Sequence, residues 1–189
     1  DLYVGPNGGL SAFNDAASYS SIRAATRPGY VYDRAKIEGV LPLPFGWQLL
    51  GRVTGQAASQ RLLFSEVLGF GGYDSIRGYD QRVFNADVGY FTNWELGPQP
   101  WTIGTGRDRK AFRAFGFFDY GGGYVRNPQP GEIASQTLAS TGVGTRLSCS
   151  DRLSFRFDYG WGLSDVPGAR TSQRVHLGVV YLMGPRPRR

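Results

Sequence analysis

Few side chains in this chain are placed to do chemistry, and the two that stand out are an arginine and an aspartate far apart in sequence. Arg77 lies at the centre of residues 68–89, LGFGGYDSIRGYDQRVFNADVG, a stretch too polar and glycine-rich to be a strand. Asp119 is the one carboxylate in Phe115-Gly116-Phe117-Phe118-Asp119-Tyr120-Gly121, among aromatics and glycines. A guanidinium at a loop tip and a carboxylate on a strand facing an enclosed lumen would form a charge-assisted bond that holds the loop inside. Other chemistry has little material. His176 is the only histidine, so neither a histidine metal site nor a Ser-His-Asp triad has its parts. Cys149 has no partner for a disulfide framework or a thiolate cluster. The glycines at 69–72 and 104–106 are not followed by the Lys-Ser/Thr of a phosphate-binding loop, and no helix is predicted after them. Asp119 and Asp158 read as lumen partners of arginine sooner than as a catalytic pair. Nothing argues for an enzyme, a metal or a cofactor.

The elements that must position these residues are strands. With 189 residues, 28 glycines, 14% aromatics and only 19% charged residues, the composition suits a curved β-sheet. No run approaches the ~20 apolar residues of a membrane helix, whereas a membrane barrel buries only alternate residues of each strand. The net charge of +6 comes mainly from arginine. No basic run is interleaved with stacking aromatics, so nucleic acid is not an expected partner. The chain begins at Asp1 without a signal peptide and is expected to be a mature segment or a fragment.

Residues 1–29 read as a strand end followed by a surface loop, residues 30–183 as barrel strands with an inward-folded loop at 59–87, and residues 184–189 as a basic tail. Strands are predicted at 30–43, 47–57, 88–96, 112–124, 138–149 and 153–161, with a last one through Met183. The sharpest alternation is Leu153, Phe155, Phe157, Tyr159 and Trp161 against Arg152, Ser154, Arg156, Asp158 and Gly160. Short connections near Pro44, Pro98 and Asp151 alternate with long ones at 59–87, 126–135 and 163–171, as in outer-membrane barrels. The non-apolar faces carry Arg52, Glu95, Asp119, Arg156, Asp158, Arg174 and His176, which would line a wet interior. Trp47, Trp94, Tyr120 and Trp161 read as membrane-interface anchors. The basic cluster at 107–113 reads as a solvated turn beside a strand start. The expected class is all-β: an antiparallel transmembrane barrel.

These motifs carry a resemblance. Gly71-Gly72 and Ile76-Arg77-Gly78-Tyr79, then Asp87-Val88-Gly89 and a strand ending Trp94-Glu95-Leu96, resemble the transporters of two-partner secretion. These are outer-membrane proteins of the hemolysin-activator type, in the superfamily that also holds the barrel-assembly insertase. That family has Val-Arg-Gly-Tyr/Phe at the tip of its sixth external loop and Phe-x-Asp-x-Gly on a nearby wall strand. The counterparts here are Ile76-Arg77-Gly78-Tyr79, with isoleucine for valine, and Phe117, Asp119 and Gly121 of Phe117-Phe118-Asp119-Tyr120-Gly121. The resemblance covers residues from about 30 to the end, although family chains usually end on an aromatic and this one continues past Tyr181 with a basic tail.

The resemblance implies the C-terminal ~8 strands of a barrel of about 16. It also implies a bacterial outer-membrane pore, set in the lipid bilayer, that moves an unfolded secreted exoprotein to the cell surface. No nucleotide would drive it; folding of the partner outside would favour export. Upstream POTRA domains, not in this chain, would recognise the partner. Two other readings stay open: an outer-membrane protein insertase of the same superfamily, and a soluble β-barrel binding protein. A single Arg77–Asp119 pair further implies that exchanging the two charges partly restores function.

Overall fold

Period-2 alternation folds most of this chain into one antiparallel sheet. A computed structural model describes residues 6–8, 15–105, 109–167 and 173–183. The long strands are β2 (Val31–Pro42), β3 (Trp47–Ala58), β6 (Val88–Pro98), β8 (Lys110–Tyr124), β9 (Ser135–Ser148), β10 (Leu153–Gly162) and β11 (Gln173–Tyr181). With β1 (Pro6–Gly8) they pair in the order β1-β2-β3-β6-β8-β9-β10-β11, an open sheet. The strands of 9 to 15 residues suffice to cross a bilayer at a tilt. Among the described residues no helix is long and apolar enough to do so.

Burial along the strands is inverted relative to a soluble protein. Tyr90, Trp94, Phe118, Tyr120, Phe155, Trp161, Val175 and Leu177 are exposed, while Asn93, Glu95, Arg113, Asp119 and Asp158 are buried. No second layer of protein covers the apolar rows among the described residues. This separates the sheet from a soluble sandwich, whose charged face would meet water. Large apolar surface on every second residue fits contact with acyl chains.

Several expectations shift. Residues 68–89 are not strand-free: β4 (Leu68–Phe70) and β5 (Phe84–Ala86) form a small separate hairpin at the two ends of the inward loop. Phe70 and Phe84 face each other across it and bury with Ile76, Phe91 and Leu138. The chain does not turn at 97–100 either. A strand β7 (Trp101–Ile103) continues along the same edge of β8, with Leu96 opposite Gly116 and Trp101 opposite Phe112. That is one extra residue, a bulge at Pro98 and Pro100, neither of which can donate to a ladder. The strand thus runs on to Ile103 before the connection to β8. Residues 1–29 hold β1 and a short helix α1 (Ala16–Ile22), whose first turn is capped by Asp15 accepting from the Ser18 N–H at 2.8 Å. The last strand ends at Tyr181, before Met183. The expected strand end before Gly5 and the basic tail at 184–189 lie outside the described residues.

The connections keep the expected alternation. Residues 43–46, 104–109 and 149–152 join strands at one end, and the longer 59–87, 125–134 and 163–172 join them at the other. The long-loop end is where the inward loop enters the concave face.

Candidate functional site

The inward loop is shaped by its glycines. At Gly71 φ is +97°, and an added Cβ would stand 2.3 Å from the Asp80 carbonyl oxygen, so the loop closes on itself only with glycine there. The Gly71 carbonyl accepts from the Arg82 N–H at 3.1 Å and the Ser75 hydroxyl at 3.0 Å. Gly72 packs against Gln81, its neighbour across the loop. Ile76 is buried in the apolar cluster at the loop base. That leaves Arg77 at the tip, pointing at the wall.

Arg77 is 2% exposed, and Asp119 and Asp158 are 0% exposed. Arg77 Nε donates to Asp119 Oδ2 and Nη2 to Oδ1, both at 2.8 Å, a two-pronged fork. Its backbone N–H donates to the same Oδ2 at 2.9 Å. Asn93 Nδ2 adds a fourth bond to Asp119 at 2.9 Å and also donates to the Ser75 carbonyl, so strand β6 grips the loop directly. Below the guanidinium lies the Phe117 ring, 3.7 Å from its centroid.

The arginine is not in a single pair. Its Nη1 donates to Glu95 Oε1 at 2.9 Å and to Asp158 Oδ1 at 3.2 Å. Glu95 also accepts from Arg113 at 2.9 Å, and Asp158 from Arg146 at 3.0 Å and Arg156 at 2.5 Å. Asp119 and Asp158, which read in the sequence as lumen partners of arginine sooner than as a catalytic pair, are joined through one guanidinium. The inward phase of Glu95, Arg156 and Asp158 is legible in the sequence; their convergence on Arg77 needs the strand register.

Tyr79 completes the tip. Its hydroxyl donates to the Ala139 carbonyl at 2.8 Å and accepts from the Ser164 N–H at 2.8 Å, tying the loop to β9 and to the connection after β10. Gly78, at φ +110°, lies directly on β10: an added Cβ would be 2.9 Å from the Gly162 nitrogen. A Cβ on Gly160 would be 2.8 Å from the Gly78 nitrogen, and one on Gly142 would strike the Phe117 ring at 2.5 Å. The wall is therefore a trough of glycines into which the tip fits, a feature that sequence reasoning missed. Gly121 serves the strand pairing: it faces Phe91 across β6–β8, where a Cβ would meet the Phe91 Cβ at 2.5 Å.

A second set of ties closes the long-loop end. Asp87, 0% exposed, accepts from Arg23 Nη1 at 2.7 Å, from the Leu62 N–H at 3.0 Å and from the Arg126 N–H at 2.7 Å. Arg61 pairs with Glu132 and also donates to the Arg126 and Asn127 carbonyls. The hydrogen bond from Arg61 holds the Glu132 carboxyl below its ordinary value of 4.5. A lowered value makes this tie complete at neutral pH and lost only as pH falls through it. Glu132→Gln is expected to raise trypsin cleavage after Arg126 severalfold at neutral pH; an unchanged rate removes this tie from the closure.

A family model for the haemolysin secretion/activation proteins ShlB/FhaC/HecB matches residues 1–147. The match takes in the loop, Glu95 and Asp119 and stops just short of the end of β9. Asp158, on β10, lies beyond it. No curated relative matches the chain. On this match, with the inverted sheet, the chain belongs to the ShlB/FhaC/HecB family of haemolysin secretion/activation proteins, outer-membrane transporters of bacterial two-partner secretion.

Proposed function

We propose that residues 30–183 form part of the wall of an export pore for a secreted partner protein, and that loop 59–87 is its latch. The β1 strand adds an edge to that wall, and upstream POTRA domains recognise the partner. The observation that carries this reading is Asp119, wholly buried yet accepting four hydrogen bonds, three of them from Arg77.

Tip and base of the loop are held by different forces. At the base, Leu68, Phe70, Phe84 and Ala86 bury apolar surface, which does not exchange with water at low cost. At the tip, Ile76 and Tyr79 bury in the same cluster, but Arg77 between them is held by ion pairs, whose Coulombic gain is largely offset by desolvation. Polar groups of a passing chain, or water, can replace them one at a time. The Arg77 contacts are thus the part built to exchange while the apolar contacts stay seated. Such a network fixes geometry more than it adds net stability.

Asp119→Asn tests the reading with little change in shape. It removes the charge that faces Arg77 and converts one acceptor into a donor aimed at a guanidinium. Export of the partner is expected to fall at least 10-fold, about 1.4 kcal/mol or more of lost coupling, while the barrel still inserts. Wild-type export by Asp119→Asn would remove the latch.

A further inference from the structure

The lumen wall carries more guanidinium than the latch uses. On the short-turn side of Arg77 lies a cavity of about 180 Å³ whose lining includes Arg52, Arg77, Arg113, Arg146 and Arg156, with Glu95 the one carboxylate among its lining residues. The ions around it form two groups, each one carboxylate short. Arg77, Arg113, Arg146 and Arg156 share Glu95, Asp119 and Asp158. Arg52 and Lys36 share Glu38, at 3.0 and 3.2 Å. Asp74 reaches Arg156 only at 4.0 Å and is itself largely exposed.

The shortfall is felt behind the cavity as well. Arg113 is 8% exposed and gives Nη1 to Glu95, but its Nε and Nη2 meet no acceptor among the described residues. A buried donor without a partner is costly, and more so when it is charged. The guanidinium groups of Arg113 and Arg146 both lie 4.7 Å from the centroid of the Phe115 ring, which supports the two cations together. At ~30 Å³ per water the cavity holds a few waters or one oxyanion. A polypeptide entering from the short-turn end meets these arginines before it meets the loop tip.

We propose that this cavity is an oxyanion site, filled during export by the carboxylate of an acidic side chain of the passing polypeptide. The planar two-oxygen fork of a carboxylate suits guanidinium edges. Seated there, it supplies the carboxylate that the cluster lacks, against the partly exposed guanidinium groups of Arg52, Arg146 and Arg156, and competes with Glu95 for Arg77, which loosens the tip; in this last step the proposal rests on the latch reading above.

The test uses purified full-length transporter in detergent at constant ionic strength. Inorganic phosphate, at about 100-fold excess over its dissociation constant, is expected to raise the melting temperature by about 5 °C relative to chloride. A short glutamate-rich peptide should reproduce the rise and its glutamine counterpart should not. Arg113→Gln should reduce the rise severalfold. Arg52→Gln, whose side chain is about a third exposed, should do the same and serves if the first variant does not fold. A phosphate effect no larger than that of chloride, or one that survives both substitutions, overturns the site. Stabilisation by phosphate with no difference between the two peptides leaves a small-anion site and overturns the polypeptide ligand. Export by Asp119→Asn is read separately: wild-type export with an intact phosphate effect sinks the latch alone, and lost export without that effect sinks the site alone.

Discussion

Replacing Arg77 by alanine is expected to abolish export while the barrel still inserts into the outer membrane. The substitution removes the donors that reach Asp119, Glu95 and Asp158 together. Arg113, Arg146 and Arg156 keep Glu95 and Asp158 paired, but Asp119 is left with Asn93 and a backbone N–H. An unpaired buried carboxylate costs about 3–5 kcal/mol where water is excluded and less in a wet lumen. The tip then leaves the wall, whereas the apolar base and the β-ladders, which hold the barrel, are untouched. Export is read from the partner in the medium, and insertion from heat-modifiable mobility of the membrane fraction. Insertion lost together with export would make Arg77 a folding residue and not a latch. The charge exchange Arg77→Asp with Asp119→Arg, expected from a lone pair to restore some function, should not do so. It would set a new carboxylate against Glu95 and Asp158 and a guanidinium against the Asn93 amide donor. Partial rescue would mean that the pair acts alone.

The second large effect is steric. Gly160→Ala changes no charge, yet its Cβ would stand 2.8 Å from the Gly78 nitrogen and 3.0 Å from the Arg77 carbonyl carbon. Backbone crowds it, so no side chain can swing away. Overpacking of this kind typically costs about 1–3 kcal/mol, and the side that can yield is the loop tip, because β10 is held in register by β9 and β11. Export is expected to fall at least 10-fold with every ion-pair residue intact. Gly39→Ala is the control, since a Cβ there meets nothing within 4 Å. Equal export by the two variants would show that close seating of the tip is not needed.

The wall was legible in the sequence because β-strands declare their faces. Trp94 against Asn93 and Glu95, or Phe118 against Phe117 and Asp119, separates outside from inside by parity alone. Arg77 was legible because it sits in a glycine-rich stretch between two periodic ones. What parity cannot supply is register. Glu95 and Asp158 lie 18 and 81 residues from Arg77, and only the pairing of β6, β8, β9 and β10 brings them to one point. That is why a pair was expected where a hub exists. Gly160 and Gly142 read as ordinary strand glycines until a loop is packed on them. Pro98 and Pro100 read as a turn because proline ends ladders, but here the interruption is a bulge and β7 resumes the strand. The helix α1, with 7 residues, is too short to show a helical period.

The most direct measurement of the latch is chemical access to the loop tip. In a purified transporter freed of its other cysteines, Cys149→Ser included, Ser75→Cys places a thiol beside Arg77 at a position 5% exposed, and Tyr73→Cys places one at a position 48% exposed. With Arg77 present, a polar maleimide is expected to label position 73 rapidly and position 75 at least 10-fold more slowly; adding Arg77→Ala should bring the two rates together. Equal labelling of both positions with Arg77 intact would contradict a tip held in the lumen.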